Sequence, residues 1–277
     1  MQNYIKWKEA SIQKTSVDAY KRWVSLFQTV LDKDHNYTIE DVTTFKLFLE
    51  GAFYSPRNIQ FGLHIIHDFI SYLMAAEGLD FPLYLFRIKQ QRSKSHHPVT
   101  EEEYRKILAT LSRNEPVTLQ RRLMIMLLWD TGMRGGELLR MKLSDLKCRH
   151  AFINNEKNKR QRLVSWSEET EELLQFYLPL RGHMQTKEDW LFVSFKWKPT
   201  RQLTTRQLER IMYNCRVLAG LKTVVRPHSF RHGFVHRKLR AGTSITTVSQ
   251  MLGHPSTMNV INYAQLSSKE LHEAWGL

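Results

Sequence analysis

Four short segments of this 277-residue sequence bring together side chains that can grip an anion or move a proton. In TGMRGGELLRMKLSDL, Arg134 follows a glycine turn at an expected helix start, and Glu137 lies three residues on, within reach of its guanidinium. An arginine fixed by a carboxylate near a helix N-terminus is preorganised to hold an anion, although alone the pair also reads as a surface ion pair. In AFINNEKNKRQRLVSW, a polar turn between two apolar runs carries Lys157, Lys159 and Arg160. That cationic tip would serve solubility equally well. In RPHSFRHGFVHRKLRAG, His228 and Arg231 are three apart and so offer an imidazole and a guanidinium from one helix face. Phe230 and Phe234 pack on another face, and the plainer reading is a basic helix lying along a polyanion. In TTVSQMLGHPSTMNVINYAQ, His254 follows directly on the expected helix stop at Gly253, and Tyr263 comes nine residues later. A capping histidine and a half-buried tyrosine would give the same pattern.

The elements that must position these residues are mainly helical, with a small β-sheet. Residues 1–88 read as a helical bundle. SVDAYKRWVSLFQTVL puts Tyr20, Trp23, Val24 and Phe27 on one stripe, TIEDVTTFKLFLEGA spaces Val42, Phe45 and Leu49, and PRNIQFGLHIIHDFISYLMAAEG carries Ile59, Leu63, Ile66 and Ile70 up to Gly78. Residues 89–98 form a basic linker without periodicity, and 99–277 a second, α+β domain. Its start is marked by a Thr100/Glu103 capping box with Tyr104, Ile107, Leu108 and Leu111 on one face. Leu123–Trp129 is apolar nearly all round, so a buried helix is predicted there. AFINN and RLVSW suggest a hairpin, with LFVSF as a candidate third strand. Thr204 and Gln207 cap a helix that buries Leu208, Ile211, Met212 and Cys215, and Ile245, Val248 and Leu252 face inward on the helix before Gly253.

Charge narrows the partner. The sequence holds 41 Lys and Arg against 27 Asp and Glu, a net charge of +14 and a pI near 9.8, which points to a polyanion. Residues 1–90 carry ten basic and ten acidic side chains, so residues 91–277, with 31 and 17, hold the whole excess. Cys148 and Cys215 form no disulfide framework and suit a reducing compartment. The N-terminal residues lack the apolar stretch of a signal peptide, and the longest apolar run falls far short of a bilayer span of about 20 residues. A cytoplasmic protein with no membrane partner is expected.

In chain order the clusters read Arg, Lys, His-x-x-Arg, Gly-His, Tyr, and this order resembles the tyrosine recombinase, or phage integrase, family with its Xer-type members. TGMRGGELLRMKLSDL is similar to the family's first arginine motif, HSFRH to its His-x-x-Arg motif, LGHPS to its second histidine motif and NYAQLS to its nucleophile segment. The resemblance covers essentially the whole chain. It implies a SAM-like helical core-binding domain at the N-terminus, followed by the family's catalytic domain.

The resemblance implies a site-specific recombinase that cleaves and rejoins DNA through a 3′-phosphotyrosyl intermediate, with Tyr263 as nucleophile. Arg134 and Arg231 would clamp the nonbridging oxygens, Glu137 would support Arg134, and His254 would add a third donor. His228 is the candidate base. Lys157 is the candidate acid for the leaving 5′ oxygen, with Lys159 the alternative, because Asn158 stands where the family often has glycine. Ser229 and Phe230 also depart from the family's frequent pairs. No acidic cluster with metal-ligand spacing accompanies the basic residues, so neither metal, cofactor nor ATP is expected. The implied partner is a double-stranded DNA site held by a homo-tetramer, or a hetero-tetramer with a related recombinase. The tail SSKELHEAWGL would dock on a neighbouring subunit or fold back on its own domain. Two other readings share the constellation: a catalytically silent sequence-specific DNA-binding protein, and a type IB topoisomerase.

Overall fold

A computed structural model describes residues 1–12, 14–88, 97–155, 160–184, 188–195 and 201–253 of the chain. The chain divides into two compact units, Met1–Lys94 and Ser95–Leu277.

The first unit is all helical. Helices α1 (Gln2–Glu9), α2 (Lys14–Leu31), α3 (Ile39–Gly51) and α4 (Pro56–Glu77) pack around Tyr4, Val24, Phe27, Phe45, Leu49, Ile66 and Phe69. Two of the starts have a local cause. The Thr38 hydroxyl and the Asp41 carboxylate cap α3 reciprocally, and Ser55 caps α4 ahead of Pro56, whose fixed φ suits a first turn. Gly78, at φ +70°, ends α4. The predicted stripes of α2, α3 and α4 face this core, with Tyr20 and Trp23 packed at its margin. Helix α1 is clasped onto α4 by Asp68, which accepts from the Tyr4 hydroxyl at 2.6 Å and pairs with Lys8 at 2.7 Å.

The second unit is built on α6. Helices α5 (Glu101–Ala109) and α6 (Pro116–Thr131) lead into the short α7 (Gly135–Leu139). Strands β1 (Leu146–Lys147), β2 (His150–Asn155) and β3 (Arg160–Ser165) then form an antiparallel sheet in that order. After α8 (Glu168–Gly182), strands β4 (Val193–Ser194) and β5 (Arg201–Gln202) make a separate two-stranded sheet. Helices α9 (Thr205–Leu218), α10 (Pro227–Arg240) and α11 (Ile245–Leu252) follow. Leu123 to Leu128 are all buried, so α6 is the central rod that its apolar sequence demands.

The Thr100/Glu103 and Thr204/Gln207 capping boxes form as predicted. LFVSF does supply a strand, Val193–Ser194, in a sheet apart from the hairpin, and one expectation is corrected, the burial of Ile245. The hairpin's third strand is β1, and Val193 instead joins β5, held by the buried Gln120 amide, which bonds both the Val193 N–H and its carbonyl at 3.0 Å. Ile245 is 40% exposed, because the first turn of α11 overhangs the packing that buries Val248 and Leu252.

Candidate active site

The site is assembled from the ends of helices. Helix α6 stops at Gly132, whose φ of +59° lies in the left-handed region that a side chain disfavours. A Cβ there would stand 2.7 Å from the Phe234 ring of α10, so the two elements approach as closely as a bare backbone permits. Two residues on, Arg134 is the N-cap of α7. The Glu137 carboxylate turns back to it, with one oxygen accepting from the Arg134 amide at 2.8 Å and the other from its Nη1 at 2.9 Å. The predicted Arg134–Glu137 pair therefore exists. It is a cap as well as an ion pair, with Glu137 buried and the Arg134 side chain 33% exposed. Since α7 has only five residues, the positive charge at this spot is that of the arginine rather than of a helix dipole.

Arg231 lies within α10 and is fully buried. Its Nη1 donates to the Gly132 carbonyl and its Nη2 to the Leu252 carbonyl, both at 2.9 Å. One guanidinium thus ties the C-terminal ends of α6 and α11 together. These carbonyls have no partner within their own helices, and a cation suits the negative end of each helix dipole.

Arg162 was not among the residues that motif reading singles out. On β3, it donates from Nη2 to Glu137 Oε2 at 2.6 Å and from Nη1 to the Met251 carbonyl at 2.9 Å. The signal lay in the alternation of RLVSW. Arg162, Val164 and Trp166 all face inward and are buried, while Leu163 faces out. An arginine on the apolar side of a strand needs a buried partner.

Glu137 is where these lines meet. Burial alone would push its carboxyl up. The Arg162 charge, the Arg134 amide and the charges of Arg231 and Arg134 outweigh that and hold it below the ordinary glutamate value. A single carboxylate therefore pairs directly with two guanidinium groups, those of Arg134 and Arg162, and lies in the field of a third, Arg231.

His228 sits in the first turn of α10, just after Pro227, and is exposed. Its ring centre lies 6.3 Å from that of the buried His232. The expectation that His228 and Arg231 project together is only partly met: they occupy adjacent turns, but Arg231 points into the protein and His228 stands at its surface. Phe230 and Phe234 are buried as predicted. Helix α10 is also fastened to the chain ahead of α5. The Val99 amide donates to the Ser229 carbonyl at 3.0 Å, and Gly233 admits the Val99 carbonyl where a Cβ would lie 2.4 Å from that oxygen.

Lys157, Asn158, Lys159, His254, Tyr263 and the tail after Tyr263 lie outside the described residues, as does most of the linker at 89–98. What is described is the frame on either side. β2 and β3 pair in register through Asn155 and Arg160, and α11 ends at Gly253 with a φ of +62°.

Three comparisons bear on this frame. The sequence profile of the phage integrase family matches residues 98–270. Tyrosine recombinase XerA of Pyrococcus furiosus is 26% identical over 263 residues, covering 94% of this chain and 87% of the relative. Tyrosine recombinase XerD of Listeria innocua is 22% identical over 279 residues, covering 96% and 93%. Among solved structures, XerH site-specific recombinase bound to a palindromic difH substrate, a post-cleavage complex, superposes with a TM-score of 0.78 at 22% identity. That match covers 95% of this chain and 80% of the other. A lambda integrase dimer bound to a COC′ core site gives 0.77 at 16% identity, covering 96% and 77%.

Proposed function

The chain belongs to the phage integrase family, and from that premise we propose that it is a site-specific DNA recombinase that breaks and rejoins strands through Tyr263. The observation that carries the reading is the arginine frame around Glu137, which lies within the matched segment and concentrates positive charge beside the chain leading to Tyr263. A phosphodiester repels nucleophiles and gains negative charge as it reacts, so fixed cations lower the barrier.

In the proposed cycle, the Tyr263 phenol attacks phosphorus, the new O–P bond forms and the bond to the 5′ oxygen breaks. His228, exposed at the start of α10, accepts the phenol proton. Lys157, or Lys159 in its place, delivers a proton to the leaving oxygen from the hairpin turn between β2 and β3. Arg134, Arg231 and His254 hold the nonbridging oxygens, arginine being preferred for its planar fork. Arg231 is enclosed, so its part requires a local opening when DNA binds. The phosphotyrosyl ester retains the energy of the broken bond, and a second 5′ hydroxyl reverses the step without ATP, metal or cofactor.

The partner is a double-stranded DNA site, drawn in by the +14 charge. Four subunits act on paired sites, whether of this chain alone or together with a related recombinase, and the tail after Tyr263 links neighbours. The relatives captured on DNA support the DNA partner. Residues 1–88 serve as the core-binding domain and 99–277 as the catalytic one, with 89–98 as the basic linker in sequence between them.

The test needs no known target. The chain and its Tyr263→Phe variant are expressed in cells and rapidly denatured, and DNA remaining on the captured protein is sequenced. Attachment at a discrete site with the wild type alone is expected. Site-specific binding without covalent DNA in either sample would instead favour a silent DNA-binding protein.

A further inference from the structure

We infer that Arg162 is a positioning residue for strand cleavage: from β3 it locks Glu137, and through it Arg134, to the end of α11, so that groups from three elements are held in one frame. The inference rests on the recombinase reading above and assigns a role to a residue that the sequence reading did not place in the site.

The geometry is specific. Arg162 and Glu137 are 25 residues apart in sequence, yet their side chains are 8% and 3% exposed and meet at 2.6 Å. The second terminal nitrogen of Arg162 holds the Met251 carbonyl in the last turn of α11, next to the Leu252 carbonyl held by Arg231. Two arginines from different elements therefore close the same helix end. Gly253 completes the lock. Beyond its positive φ, a Cβ there would fall 2.8 Å from Arg162 Cδ, so the glycine lets the arginine stem pass against the backbone. In sequence the chain continues from this point to His254 and Tyr263, while four residues, Lys157 among them, separate the paired Asn155 and Arg160.

A buried ion pair of purely structural value would also look like this at Arg162 alone. What argues for positioning is that both of its partners belong to the site. Glu137 is the cap and counter-ion of Arg134, and Met251 lies in the last turn of the helix that precedes His254 in sequence. Lysine could keep the charge and reach Glu137. It lacks the planar fork needed to span the carboxylate and the carbonyl together.

The experiment uses the full chain and a nicked DNA substrate carrying the site found by covalent capture, so that cleavage is trapped. DNA affinity, the single-turnover rate of covalent complex formation at saturating DNA, and thermal stability are measured for wild type, Arg162→Lys and Arg162→Gln, the last with and without added guanidinium ion. We expect Arg162→Lys to bind DNA within about threefold of wild type while cleaving about 10- to 100-fold more slowly, as misplaced reacting groups do. Millimolar guanidinium should restore part of the Arg162→Gln rate. Should Arg162→Gln fail to fold, the lysine variant decides alone. A wild-type cleavage rate in folded, DNA-bound Arg162→Lys would overturn the inference and leave the recombinase reading standing. A wild-type chain that forms no covalent complex would overturn both.

Discussion

At Arg134 the guanidinium is one-third exposed and held by Glu137, whereas at Arg231 it is enclosed and held by two helix-end carbonyls. The same side chain therefore serves first as an accessible cation and second as a tie between elements. Glu137 connects the two, and its substitution has a predictable pH signature. Its carboxyl is held below the ordinary glutamate value of about 4.3, so the stability it contributes is present above that pH. That contribution is lost as pH falls through the depressed value. Glu137→Gln leaves Arg134 and Arg162 without their counter-charge, and should cost about 3 kcal/mol or more at pH 7, as breaking a buried pair does. The deficit should shrink at pH 3, and urea unfolding at the two pH values reads it directly. A deficit equal at both would mean that Glu137 acts as a neutral spacer. At this scale the Arg134–Glu137 pairing was legible from residue type and spacing. Arg162 was legible only as an inward-facing cation on a strand, because its partners lie 25 and 89 residues away.

Among the elements, α10 is held closely on two sides. It carries His228 and Arg231, packs Phe234 against Gly132, and accepts the Val99 carbonyl against Gly233. Gly233→Ala puts a methyl where the Val99 oxygen sits, so helix and leading segment have to part. A loss of about 1–3 kcal/mol is expected from such overpacking, although alanine is the better helix former. Thermal unfolding checks the sign: a rise in Tm would mean that Val99 simply moves aside. Helix boundaries were readable because their signals are local: Thr100 with Glu103, Thr204 with Gln207, Pro227 at a start, and Gly78 and Gly253 at stops. The pairing of Val193 was not readable, because a two-residue strand depends on the Gln120 amide 73 residues away. The exposure of Ile245 likewise depends on how far α11 overhangs its neighbours, which periodicity does not report.

Over the whole molecule, charge is divided as sharply as structure. Residues 1–90 are neutral and residues 91–277 hold the full +14, while α9 presents Arg206 and Arg210 to solvent. No helix among the described residues is long and apolar enough to cross a membrane. Affinity for duplex DNA should fall linearly on a log–log plot against salt, with a slope of about −0.9 per phosphate neutralised. Replacing Arg206 and Arg210 together by glutamine should flatten that slope by up to about 1.8, as fluorescence anisotropy titrations between low and physiological salt would measure. Binding that is insensitive to salt in the wild type would contradict the electrostatic account.

The central claim is that Tyr263 becomes joined to DNA, and the most direct measurement is to find the bond. Covalent complexes trapped on the captured site are digested with nuclease and protease, and the peptides are examined by mass spectrometry. The account predicts a nucleotide remnant on the peptide containing Tyr263, attached through a 3′ phosphate, and none in Tyr263→Phe. A remnant on another residue, or a Tyr263 peptide that stays unmodified while strands are cut, would contradict it.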